Sequence, residues 1–233
     1  MRMQGRMSWQ ITIDEPEDLH FVLVVRDCCR LATGAAGTPG PLAPPVPDLS
    51  GLLDEPVRRA AEEAWPTWWD AALAACRAAS GAPHDASSAA RHLQLWQRHA
   101  VVDGPQFESL SGTPALRDAA RAALDPFRRW WAPPILSEPQ AKRYRQRPLG
   151  GPGVRESLIR LHLGRSTVHD VVTRVERELG REARPFDLRI DILAVTEPPV
   201  LVQDEHHALI SGELAGSETG YRDWLYAAIG AVA

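Results

Sequence analysis

The chain has 233 residues, of which 44% are hydrophobic and 24% are charged, a balance typical of a globular protein that excludes a chain disordered or fibrous throughout. Its formal net charge is −4, and acidic and basic residues are interspersed, so no basic field attracts nucleic-acid phosphates. The apolar stretch at residues 21–25 is far too short to span a bilayer, which takes roughly 20 residues.

Cysteine usage indicates a reducing compartment. Cys28, Cys29 and Cys76 match neither a disulfide framework nor a C-x-x-C metal spacing, and residues 1–14 lack the pattern of a secretory signal. Basic residues are almost all arginine, as in bacterial proteins from GC-rich genomes. We therefore expect a cytoplasmic protein with no bound cofactor or metal and no membrane contact.

The N-terminal third begins with a strand. Residues 8–14 alternate between apolar and polar side chains, which predicts a half-buried strand, and residues 19–33 have the apolar spacing of a helix. Five prolines within residues 34–48 then favour an extended loop.

Three helical segments are predicted in the middle of the chain. Residues 50–79 are rich in alanine, but Pro66 removes an amide hydrogen and should split this segment into two helices. Residues 84–100 and 114–132 have amphipathic helical spacing. The sequence thus predicts a helical subdomain over residues 50–132, between Pro/Gly-rich loops at 34–49 and 133–153.

The C-terminal part alternates strands with helices. Strands are predicted at residues 157–163, 186–195, 200–202 and 207–210, and helices at 167–182 and 218–232. Residues 186–195 alternate strictly, which is typical of an antiparallel strand with one wet face. The predicted fold is α+β, a C-terminal β-α-β-β-α unit with a small, mostly antiparallel sheet that the N-terminal strand could complete. Residues 1–33 and 154–233 form its α/β core, with the helical subdomain inserted.

Carboxylates and imidazoles gather on the C-terminal strands. A hairpin centred on Pro198-Pro199 would place Asp191 opposite His206 on the wet face. Such side chains bind divalent metals or act as acids and bases. A solvated polar face is the simpler interpretation. The group comprises Asp187, Asp191, Asp204, Glu205, His206 and His207.

The turn at residues 164–168 is open to several interpretations. Ser166 suits a helix N-cap, and with Asp191 and His206 it also follows the Ser-Asp-His order of a hydrolase, although Val168 stands where a nucleophile elbow has glycine. Anion binding with Arg165 and a helix-turn-helix for DNA are further alternatives, but acidic residues on the helix disfavour DNA.

Adjacent tryptophans give the one positive indication of an interface. Neighbouring helix residues point about 100° apart, so one member of each pair should be exposed, with Trp69 and Trp130 the expected ones. The two pairs are Trp68/Trp69 and Trp130/Trp131. We expect a non-catalytic protein-interaction or accessory module that binds a protein partner or itself. The alternatives are a hydrolase or metal-dependent phosphoesterase using Asp187, Asp191, His206 and His207, and a DNA-binding regulator.

Overall fold

The computed structural model describes residues 9–33, 38–80, 107, 110–131 and 165–233. The chain divides into two compact units. The α/β unit comprises residues 1–15 and 153–233, and the helical unit comprises residues 16–152. The predicted helix at 84–100, strand at 157–163 and loop at 133–153 lie outside the described residues.

Within the described residues, a four-stranded mixed sheet forms the centre of the α/β unit. Its strands are β1 (Trp9–Asp14), β2 (Phe186–Leu193), β3 (Val200–Gln203) and β4 (His207–Ser211), in the order β1-β2-β4-β3. Strand β2 pairs in parallel with both β1 and β4, and β3 pairs antiparallel with β4. The mixed α and β fold and the joining of the N-terminal strand to the sheet are therefore confirmed.

The direction of the strands corrects the mostly antiparallel sheet predicted above, because two of the three pairings among the described strands are parallel. The link after β2 contains Pro198 and Pro199, which cannot supply the backbone angles of a tight hairpin turn. The chain instead passes to the far side of β4, forms β3 there and returns as β4. Strand β4 therefore runs antiparallel to β3 and parallel to β2.

Three helices complete the described part of the α/β unit: α4 (Arg165–Leu179), α5 (Gly212–Gly216) and α6 (Glu218–Val232). Helix α4 ends where Gly180 adopts a left-handed φ of +65°, which glycine tolerates without steric cost. Helix α6 begins after Ser217, whose hydroxyl accepts a hydrogen bond from the Gly220 amide at 3.2 Å. Helices α4 and α6 pack against each other.

Three helices make up the described core of the helical unit: α1 (Glu17–Cys28), α2 (Glu55–Ser80) and α3 (Pro114–Trp131). Each packs against the other two. Helix α1 groups with this unit, whereas the sequence assigned it to the α/β core. None of the helices in the described ranges is long and apolar enough to cross a membrane.

Pro66 lies inside α2 without dividing it, which corrects the predicted break into two helices. The neighbouring Trp65 is fully buried, and its indole nitrogen donates to the Val22 carbonyl of α1 at 3.0 Å. A proline in a helix interior costs about 3 kcal/mol. Burial of a tryptophan and the packing of α2 on α1 offset this cost, so tertiary contacts override the local preference.

Candidate functional site

Four polar side chains line one face of the parallel part of the sheet. The register pairs Asp14 with Asp191 and Arg189 with His207. Paired residues of neighbouring strands lie on the same side of the sheet, and so do residues two apart along one strand. The four side chains therefore share a face, and we call them the β2 polar network.

The β2 polar network is a continuous chain of short contacts. The Arg189 guanidinium donates from Nη2 to an Asp14 carboxylate oxygen at 3.1 Å and from Nε to Asp191 Oδ1 at 2.8 Å. The second oxygen of Asp191 lies 2.9 Å from His207 Nε2. A single arginine thus bridges two carboxylates, and one of these orients the imidazole.

Burial differs along the β2 polar network. The side chain of Asp14 is 48% exposed and that of Arg189 is 12% exposed, whereas Asp191 and His207 are 0% and 2% exposed. An unpaired charge at the position of Asp191 would be strongly unfavourable. The Arg189 guanidinium compensates this charge, and the second carboxylate on Arg189, that of Asp14, is about half exposed and therefore solvated.

The geometry fixes the tautomer of His207. A carboxylate beside a guanidinium offers lone pairs and no proton, so Nε2 of the imidazole must donate to Asp191. The other ring nitrogen, Nδ1, is buried and has no hydrogen-bond partner among the described residues. Histidines that bind metals or transfer protons commonly have such a carboxylate behind the ring.

The remaining members of the predicted acidic and imidazole group lie at the surface. His206 is exposed, and its Nδ1 lies 3.3 Å from the backbone carbonyl of Asp187. The Asp204 carboxylate accepts the amide hydrogens of His206 and His207 at 2.9 and 2.7 Å, so it stabilises the turn that leads into β4. Asp187 is half-buried.

The sequence predicted a contact between Asp191 and His206, and the structure shows a different one. Asp191 contacts His207 rather than His206, and it is buried rather than on a wet face. The hairpin prediction was wrong because β2 and β4 run parallel, which places Asp191 beside Leu209. Sequence reasoning also missed the link from Arg189 to Asp14, since strand order alone brings these residues together.

Ser166 is the second residue of α4, one position inside the helix, whereas an N-cap precedes it. Its side chain and that of Arg165 lie outside the described part of the chain. The alternative roles of this turn in capping, catalysis, anion binding or DNA binding therefore stay predictions.

The tryptophans of the helical unit are more buried than expected. Trp68, Trp69 and Trp130 are 4%, 6% and 8% exposed, which corrects the expectation that Trp69 and Trp130 face solvent. Trp69 stacks on Trp65 with ring centres 5.8 Å apart. Of the four predicted interface residues, Trp131 alone is half-buried. The three helices described in the helical unit pack on one another, so one helix buries side chains on more than one face.

Comparison with known proteins found no matching family model, no matching curated protein and no matching solved structure.

Proposed function

We propose that this chain is a non-catalytic protein-interaction or accessory module. The observation that carries the proposal is the way the predicted acid and imidazole group is used: its buried members, Asp191 and His207, bond to each other inside the β2 polar network. Asp204, at the surface, holds two backbone amides of a turn. These contacts stabilise the sheet.

Burial supports the same proposal. A general acid, a base or a nucleophile must come within hydrogen-bond distance of its substrate. Asp191 and His207 are at most 2% exposed, and Arg189 is bonded to two carboxylates. Buried ionic groups specify the register of neighbouring elements in some proteins, and here the network joins β1, β2 and β4.

Trp131 is the candidate contact residue for a partner. It is the last residue of helix α3. Its ring stacks on that of Phe127 with ring centres 5.6 Å apart, and its ring centre lies 4.8 Å from that of His20. Part of its side chain is nevertheless exposed. Partly exposed aromatic side chains held by rigid neighbours are typical anchors of protein interfaces, because they bury a large area at a low entropic cost.

The test replaces Trp131 by glutamine and measures assembly by sedimentation velocity over a range of protein concentrations. Self-association that weakens in Trp131→Gln, with an unchanged circular-dichroism spectrum, supports the proposal. Trp224→Gln is the matched control, because Trp224 is also half-buried on a helix but belongs to the α/β unit. A wild type that stays monomeric and captures no partner through Trp131 contradicts it.

A hydrolase or metal-dependent phosphoesterase is the second candidate function. The observation that favours it is the lone pair of His207 Nδ1, buried without a hydrogen-bond partner among the described residues and backed by Asp191. Hydrolysis of p-nitrophenyl esters and phosphates with added Mn²⁺ or Zn²⁺ tests it. Activity lost in His207→Ala and retained in Asp223→Ala, which removes an exposed carboxylate of the same unit, would establish catalysis and overturn the non-catalytic proposal.

A further inference from the structure

Strand β1 forms one edge of the described sheet, and strand β3 forms the other. All six residues of β1 pair with β2 without a register shift. On its other side, β1 pairs with no strand within the described ranges. An edge strand presents a row of backbone N–H and C=O groups that a further strand can bind. The outer edge of β1 therefore offers main-chain donors and acceptors to an added strand.

The two edges differ in the features that prevent pairing with another chain. Strand β3 has only four residues, follows two prolines, and has a register shift between Val200 and Val202. Exposed acidic residues stand before and after it, at Glu197 and Asp204. Short length, proline, bulges and charges all protect sheet edges. Strand β1 has six residues, no proline and one charged residue, Asp14, at its end, so the sheet is protected at β3 and not at β1.

Apolar side chains are partly open along β1. Trp9, Ile11 and Ile13 share one face of the strand and are half-buried. Their three partners on β2 lie on the same face and are at most 9% exposed. On the opposite face of β1, Gln10 is half-buried and Thr12 is exposed. Full burial of the apolar face therefore stops at β1, and a further strand would extend it.

The residue pattern of β1 fits a second copy of itself in antiparallel orientation. With a two-fold axis at Ile11, this residue would face its own copy, Trp9 would face Ile13, and Gln10 would face Thr12. Apolar residues then meet on one face and polar residues on the other, which stabilises cross-strand pairs. A parallel pair in register would set the two Asp14 carboxylates side by side, whereas the antiparallel pair places them at opposite ends. Charge therefore selects the antiparallel direction.

We infer that β1 is an interface strand through which two copies of this chain pair antiparallel about Ile11, so that their two sheets become one. Two-fold symmetric contacts of this kind close after two copies, which gives a dimer rather than a fibre. The inference goes beyond Trp131 as a partner contact, because β1 belongs to the α/β unit and Trp131 to the helical unit. Variants of the two surfaces therefore test the two ideas separately.

Sedimentation velocity of the full chain over a range of concentrations measures the dimer. Ile11→Lys removes the central apolar pair and sets two lysines opposite each other, so the dimer should be lost. Leu201→Lys is the matched control, because Leu201 is a half-buried aliphatic residue on β3, the protected edge. Urea unfolding of both variants shows whether each of them still folds.

A second variant tests the register and leaves Ile11 in place. Gln10→Lys combined with Thr12→Glu puts each new lysine opposite a glutamate of the other copy, on both sides of the axis. Within one chain the two positions pair with Asp187 and Arg189 of β2, whose charges are opposite to the new ones, so the fold should tolerate them. Two such cross-strand pairs should tighten the dimer roughly twofold to thirtyfold.

Loss of the dimer in Ile11→Lys but not in Leu201→Lys, with tighter association in the double variant, supports the inference. If Ile11→Lys does not fold, the double variant decides alone. A wild type that stays monomeric at every concentration overturns the inference, and so does a double variant that associates no more tightly than the wild type. A dimer that weakens in Trp131→Gln and is unchanged in a folded Ile11→Lys assigns self-association to the helical unit and likewise overturns it.

Discussion

Removal of the Asp191 carboxylate is the sharpest perturbation of the β2 polar network. In Asp191→Ala, the Arg189 Nε and the His207 Nε2 both lose their buried acceptor, at 2.8 and 2.9 Å. Breaking a buried ion pair from one side costs about 3–5 kcal/mol when the remaining charge has no other partner. Arg189 keeps its contact with Asp14, so the lower end of this range, about 3 kcal/mol, applies. We expect the free energy of unfolding of the α/β unit to fall by about that amount, a large part of an ordinary domain's stability.

The assay is urea unfolding followed by circular dichroism, with hydrogen exchange of peptides from β2 and β4 as the local readout. Asp187→Ala is the control, since Asp187 is a half-buried carboxylate on the same strand and the same face. Its effect should stay within about 0.5 kcal/mol. A loss below about 1 kcal/mol in Asp191→Ala, with exchange in β2 and β4 unchanged, would refute the view that the network holds these strands together.

Three further predictions concern the α/β unit. Nitrogen-15 NMR should find neutral His207 protonated at Nε2, because Asp191 accepts there, and a proton on Nδ1 instead would contradict the assigned hydrogen bond. Ser217→Ala should lower the free energy of unfolding by about 0.5–2 kcal/mol in thermal or urea unfolding, because it removes the N-cap of α6. Ser50→Ala, which lies in the helical unit and leaves α6 unchanged, is the comparison. Hydrogen bonds from Tyr226 and then Arg174 lower the pKa of the Glu178 carboxyl, so their stabilising effect is present above the ordinary pKa of 4.5 and is lost as the pH falls through the lowered value. Tyr226→Phe should therefore raise the pKa of Glu178 in a carbon-13 NMR titration, and an unchanged titration would rule out the Tyr226 contact.

Local sequence signals determined most of the described elements. Helix α6 has the predicted bounds of 218–232, and β2 begins at the predicted Phe186. Helix α3 ends within one residue of the predicted 132. Periodicity suffices in these segments because an apolar face at spacing 3.6 or 2 must be buried in any fold that contains them.

The tertiary structure alone decided the direction of the strands, and with it the candidate site. A period of two is the same in a parallel and an antiparallel strand, so the alternation of Asp187, Arg189 and Asp191 gave no information on which strands would flank β2. Once β1 and β4 lie on both sides, β2 becomes a central strand and Asp191 is buried. The buried Asp191 carboxylate then needs the hydrogen bonds from Arg189 and His207. On a strand with one solvent-exposed face, water would have solvated it instead.

The same distinction explains the tryptophans. Adjacent residues on a helix point in different directions, and an isolated helix would bury only one of each pair. Packing among three helices gives each one more than one buried face, so Trp68, Trp69 and Trp130 are all covered. The number of buried faces on a helix depends on the packing of residues that are distant in sequence. A local sequence pattern does not contain this information.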